Sequence, residues 1–145
     1  QKNGFSPFIS AQNEYSLLER RVENELVPAC NQYGVSILPF FPLASGFLTG
    51  KYRQKSDLAK GERGAEVARY LNRRGLRVLA TLDTIAAAHG TSVASIALAW
   101  LLTKPNVVAP VASASRPEQV RDLTAAAAAQ LTRHQVSDLD RVSAS

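Results

Sequence analysis

Apolar positions along the chain follow two alternating periods. A short run at 8–11 follows Pro7 and gives way to Gln12-Asn13-Glu14-Tyr15-Ser16, which predicts a short buried strand ending in hydrogen-bonding side chains. Leu26, Ala29, Cys30 and Tyr33 then recur on one helical face. Pro28 is tolerated in the first turn and Gly34 is the stop, so a helix is expected from near Asn24 or Glu25. Residues 35–41 are almost wholly apolar between Gly34 and Pro42, the pattern of a strand buried on both faces. From Arg53 to Gly64 no periodic segment is visible, and so long a connection in a compact domain is usually functional or mobile. A helical region from Ala65 carries the stripe Leu76, Leu79, Leu82 and Ala86 and ends at His89-Gly90. Ser92 caps a second helix, 93–103, with Ile96, Ala97, Trp100 and Leu101 inward. A third buried strand is expected at 107–112. Ser115 and Glu118 have capping-box spacing for a helix ending near Ala128, and Thr132 with Gln135 repeats it for a last helix, 133–143.

Strand, helix, strand, helices, strand, helix is an α/β pattern with a parallel sheet. Three strands cannot close a barrel, and an open sheet of three leaves two apolar edges for something else to cover. The pattern therefore predicts one partial domain over 1–145, with no second domain, linker or internal repeat.

Composition narrows the class. With 46% hydrophobic and 20% charged residues, the 145-residue chain is of ordinary globular type. No run approaches the roughly 20 apolar residues of a membrane span, and no charged-then-apolar leader is visible. The single Cys30 reads as a buried, reduced thiol, which suits the cytoplasm. Methionine is absent and the chain starts Gln1-Lys2-Asn3, so it is expected to be processed or a piece of something longer. The net charge is +5, and between Lys51 and Arg77 nine basic residues face three acidic ones. This favours anionic partners, nucleotide or nucleic acid. Only Tyr52 and Tyr70 interleave aromatic rings with the basic stretch, which weighs against nucleic acid.

Ligands of parallel α/β folds bind at the carboxyl ends of the strands. Here those ends carry Gln12 and Tyr15, then Phe40 to Ser45, then Ser113 to Gln119. Ser115 and Arg116 beside a helix amino end make a phosphate seat, and Phe40 can stack on a planar heterocycle. Each also has a plain structural reading: Ser115 as a cap, Phe40 as core, Arg116 as a solvated helix residue. There is no GxGxxG and no Walker loop. His89 and His134 stand apart from any cysteine or carboxylate cluster, so no metal site is expected. For acid–base chemistry only Tyr15 and Tyr52 are candidates.

Three ordered motifs carry a family resemblance. Gln12-Asn13-Glu14-Tyr15-Ser16, then Pro42-Leu43-Ala44-Ser45-Gly46-Phe47-Leu48-Thr49-Gly50-Lys51-Tyr52, then Ser115-Arg116-Pro117-Glu118-Gln119 resemble the sixth, seventh and eighth strand ends of the aldo-keto reductases. The most similar branch is that of bacterial aryl-alcohol dehydrogenases and potassium-channel β subunits. The resemblance implies the C-terminal portion of a TIM (β/α)8 barrel, strands 6 to 8, with NADPH across the strand ends. It assigns Gln12 to the nicotinamide carboxamide, Phe40 to stacking on the ring, and Phe41, Pro42, Leu43, Ala44 and Ser45 to the pyrophosphate, with Lys51 reaching over. It assigns Arg63, Ser113, Ser115 and Gln119 to the 2′-phosphate end, with Arg116 beside them and Asp122 toward adenine. Two positions depart from the pattern: Phe41 stands where many members have serine, and Asp122-Leu123 where a Glu-Asn pair usually grips adenine. The family's catalytic aspartate, tyrosine, lysine and histidine belong to the first half of the barrel. The chain alone is thus expected to bind cofactor without reducing a carbonyl substrate, and to need a complementary N-terminal half or self-association. The alternatives are a truncated, non-catalytic binding or scaffold module, and a basic nucleic-acid binder. Nothing implies a membrane, and the substrate is not legible.

Overall fold

The computed structural model describes residues 4–61 and 63–144. Gln1-Lys2-Asn3, the start noted above, and Glu62 lie outside the described residues. In chain order the elements are β1 (Ser10–Glu14), α1 (Leu26–Tyr33), β2 (Ser36–Phe40), α2 (Gly64–Val67), α3 (Arg73–His89), α4 (Val93–Leu102), α5 (Pro117–Ala128) and α6 (Arg133–Ser143). Tight 3-10 turns occupy Arg21–Glu23, Ala44–Thr49, Lys55–Lys60 and Ala68–Tyr70.

β1 and β2 are parallel, in register from Ser10 with Ser36 to Glu14 with Phe40. The third expected strand lies along the other edge of β2 but makes only two isolated parallel bridges, Ile37 with Val107 and Phe40 with Val111. Pro39 is the reason. The Ile37 N–H donates to the Asn106 carbonyl at 2.7 Å, and the Ile37 carbonyl accepts from Val108 at 3.1 Å. Pro39 can only accept, from Val111 at 2.7 Å, so the ladder loses a rung in its middle.

The helices cover one face of this sheet. Ile37 and Pro39 are buried beneath them, while Ser36, Leu38 and Phe40 on the opposite face are half-buried. The expected strand buried on both faces is therefore buried on one. The same uncovered face corrects the first strand, which starts at Ser10 rather than 8 and leaves Phe8 89% and Ile9 79% exposed. Val108 and Val111 are also exposed, against the expectation of a buried third strand.

The helices follow their local signals more closely. α1 starts where expected, with Pro28 in its first turn and Gly34 closing it at φ +66°. Its inward residue is Cys30, whereas Ala29 and Tyr33 face solvent. The helical region expected from Ala65 breaks at Leu71; α3 then starts anew from Asn72, whose side chain caps Gly75. Leu76 is exposed, and the buried stripe is Val78, Leu79, Leu82, Ile85 and Ala86. Ser92 caps α4, which is buried from Ala94 to Leu101, so it is the central helix of the layer. Thr132 and Gln135 form the expected reciprocal box at the start of α6.

The core lies between α3, α4, α6 and the two loops that follow β1 and β2. Trp100, Tyr15, Phe47, Leu48, Leu79, Leu82 and Leu139 are at most 1% exposed. Each such side chain contributes about 1.5–3 kcal/mol by leaving water. Trp100 is also held by charge: Lys104 Nζ and Arg20 Cζ lie 4.3 and 5.3 Å from its ring centre. Asp140 accepts both the indole N–H at 2.9 Å and Lys104 Nζ at 2.6 Å. The same Arg20 donates to the Asp140 carbonyl and to Ser143 Oγ, tying the segment after β1 to α6.

Candidate functional site

The loop after β2 is pinned from below and shaped from within. Ala44, Phe47 and Leu48 sink into the core, which fixes the turn Ala44–Thr49 against α4. Above them the chain folds back twice, the Ala44 N–H donating to the Phe41 carbonyl and the Gly46 N–H to the Leu43 carbonyl, both at 2.9 Å. This demands left-handed backbone at Phe41 (φ 48°), Ala44 (φ 49°) and Ser45 (φ 55°), followed by Gly46 at φ 96°. Left-handed backbone costs a residue with a Cβ roughly 1–2 kcal/mol. Three such residues within five positions are held only because the buried anchors over-determine the loop.

The next segment is organised too. The stretch 53–64, read as lacking periodicity, contains the turn Lys55–Lys60 with a reciprocal Gln54/Asp57 box. Arg53 clamps its start to α3 through two bonds to Asp83, at 2.6 and 2.7 Å.

Opposite stand the amino ends of α4 and α5. Ser95 Oγ donates to the Asp122 carbonyl at 2.8 Å, locking α5 beside α4. The Ser115/Glu118 box does not form, because Arg116 is the N-cap and Pro117 the first helical residue. Instead the Gln119 side-chain oxygen accepts the Ser115 N–H at 2.9 Å and Ser115 Oγ at 3.2 Å. That turn is closed by Gln119, not by a serine cap.

Between these parts lies a cleft of about 620 Å³, at the carboxyl ends of β2 and of the third strand segment. Eleven of the fourteen residues singled out from sequence line it: Phe41, Pro42, Leu43 and Ser45 from the loop, then Lys51 and Arg63, then Ser113, Ser115, Arg116, Gln119 and Asp122. Gln12, Phe40 and Ala44 do not. Ala44 is 1% exposed and belongs to the core. Gln12 and Phe40 stand on the uncovered face of the sheet, which the β1–β2 register assigns to both. Sequence reasoning missed the walls contributed by Thr49, Ser92, Ala94 and Ala112. Ser92 carried a signal, but only as a helix cap. Leu123 lines the cleft beside Asp122, so this end is part apolar and part acidic.

The cleft's charge is lopsided. Lys51, Arg63 and Arg116 face a single carboxylate, Asp122. None of the three cations makes an ion pair among the described residues. Two helix amino ends add donors and positive potential to the same space. The arrangement suits an extended anionic ligand with one apolar part. No group of three or more His, Cys, Asp or Glu residues placed to hold a metal ion occurs among the described residues.

Of the two acid–base candidates, Tyr15 is ruled out by its surroundings. It is 1% exposed, and its hydroxyl donates to Glu23 Oε1 at 2.7 Å. Burial first, then the bond to Glu23, push its ionisation far above the ordinary tyrosine range. Tyr52 is equally buried, but it lines the cleft.

The aldo/keto reductase family model matches residues 1–144. The chain belongs to the aldo/keto reductase family. Its relatives include aryl-alcohol dehydrogenase GME11368 of Pestalotiopsis microspora, 31% identical over 97% of this chain and 35% of that protein. Another is the NADH-specific methylglyoxal reductase of Escherichia coli, 32% identical over 79% of this chain and 36% of that one. Among solved structures, the thermostable aldo-keto reductase Tm1743 superposes with a TM-score of 0.69 at 29% identity, covering 94% of this chain and 40% of that one. This aldo/keto reductase chain thus carries part of the family's TIM-barrel fold and spans about 35–40% of the length of these relatives. No single helix among its described residues is long and apolar enough to cross a membrane.

Proposed function

We propose that this chain is the C-terminal, cofactor-binding part, strands 6 to 8, of an NADPH-dependent reductase that converts carbonyls to alcohols. The observation that carries the reading is the convergence of Lys51, Arg63, Arg116 and two helix amino ends on one cleft at the strand ends. The donor set fits a dinucleotide phosphate. Three cations without ion pairs among the described residues and several hydroxyls suit the phosphates, and Phe41, Pro42 and Leu43 offer apolar surface to the rest.

In this reading Lys51 neutralises the pyrophosphate along the Phe41–Ser45 wall. Arg63 and Arg116, with Ser113, Ser115 and Gln119, hold the 2′-phosphate; two guanidiniums at one end favour NADPH over NADH. Asp122 accepts from the base while Leu123 packs against it. Gln12 and Phe40 orient the nicotinamide from the uncovered sheet face, which a complementary segment of barrel, or a second copy of the chain, covers. When bound, NADPH supplies the hydride. The proton comes from outside this chain: Tyr15 is committed to Glu23, and Tyr52 lines the cleft beside Lys51, which Gln12 and Phe40 at the nicotinamide do not line. The protein works in the cytoplasm with Cys30 reduced.

The test is the native mass of the purified protein, with NADPH and NADH titrations and a carbonyl-dependent assay at 340 nm. Particles containing only 15.7 kDa chains are expected to bind NADPH more tightly than NADH and to show no turnover. Turnover in such particles, or absence of NADPH binding, overturns the proposal.

A further inference from the structure

We propose that the Tyr52 hydroxyl is a ligand contact, donating a hydrogen bond to the same phosphate oxygen that the Lys51 ammonium neutralises. This rests on the dinucleotide reading above. Tyr52 is 1% exposed, and its hydroxyl oxygen is buried with no hydrogen-bond partner among the described residues. Buried phenols ordinarily find a partner, because an unpaired hydroxyl keeps the penalty of leaving water. Arg74 Nε is similarly orphaned, but the rest of its guanidinium donates to the carbonyls of Leu18 and Ser143. The Tyr52 hydroxyl has no partner among the described residues.

Its neighbours point to what is missing. A Cβ built on Gly61 would lie 2.5 Å from the Tyr52 hydroxyl and 3.9 Å from Lys51 Nζ. A Cβ on Gly46 would lie 3.7 Å from Lys51 Cε and 3.9 Å from Lys51 Nζ. Gly61 therefore offers no side chain to either group, and Gly46 offers none to the ammonium. Lys51 Nζ also sits 4.9 Å from the Tyr52 ring centre, which couples the two side chains.

Both residues line the cleft, both are donors, and Lys51 has no ion pair among the described residues. One acceptor that satisfies both must be anionic and have several lone pairs, as a phosphate oxygen does. A neutral acceptor would satisfy the hydroxyl and leave the ammonium uncompensated.

The test is calorimetric titration of the full chain with NADPH, using wild type, Tyr52→Phe, Lys51→Met and the double variant. Tyr52→Phe is expected to weaken binding about five- to tenfold and Lys51→Met about tenfold or more. The double variant should lose less than the product, because the two donors share one oxygen. Without ligand, Tyr52→Phe should melt at the wild-type temperature or higher, since it removes a hydroxyl that the protein leaves unpaired. Binding by Tyr52→Phe within twofold of wild type overturns this inference alone. So does a ligand-free melting point several degrees lower, which would show a protein partner, or a strictly multiplicative double variant. A wild type that fails to bind NADPH overturns the dinucleotide reading and this inference with it.

Discussion

The two faces of the sheet are opposites. On the covered side, Trp100, Leu79, Leu82, Leu139 and Phe47 form a dry core, at whose edge Asp140 pairs the Trp100 N–H and Lys104. On the other, Gln12, Leu38 and Phe40 have no layer above them, and Phe8 and Ile9 at the edge lie in solvent. Burial of a face depends on whether a second layer exists, not on how apolar its residues are. The chain completes one layer and presents the other.

The largest effect should come from cutting into the closed side. Trp100→Ala removes a fully buried ring and the seat of two cations, and should cost about 3–5 kcal/mol in urea denaturation. The matching change on the open side, Phe8→Ala, should move stability by less than about 0.5 kcal/mol. A large loss at Phe8 would mean that something covers the open face in solution. Next in size is Asp140→Ala, which leaves the indole N–H and Lys104 without their acceptor. About 1–3 kcal/mol is expected from the same denaturation curves.

The smallest effect is electrostatic. Hydrogen bonds from Arg21 hold the Glu19 carboxyl below the ordinary glutamate range. A lowered folded pKa contributes stability above the unfolded-state value, about 4.3, and loses it as pH falls through the folded value. Glu19→Gln should therefore flatten the acid limb of the melting temperature below about pH 4.5 and change little at neutral pH.

The helices were legible because their signals are local. Thr132 with Gln135 and Ser92 as a cap act within four residues, and Gly34 stops α1 by accepting a left-handed backbone. Ser115 with Glu118 shows how such a signal fails: Gln119 reaches the same turn and takes the Ser115 N–H instead. Strand burial was misread because an apolar run has the same pattern whether one face or both are covered. The third strand was over-read because the weight of Pro39 depends on which neighbour its missing N–H would have faced. Most of the cleft was legible through the motifs, and its outliers, Gln12 and Phe40, share the open face.

By itself, the sequence determined the periods, the caps and stops, the parallel α/β order and the small-residue loop that must follow β2. These rest on backbone stereochemistry and side-chain spacing over a few residues. Tertiary structure alone decided that Ser92 and Ser115 share a cleft, that Tyr15 is spent on Glu23 while Tyr52 has no partner among the described residues, and which sheet face is wet. Those outcomes depend on which distant segments meet across the core and which side chains reach a donor or acceptor first. A one-dimensional pattern does not carry that information.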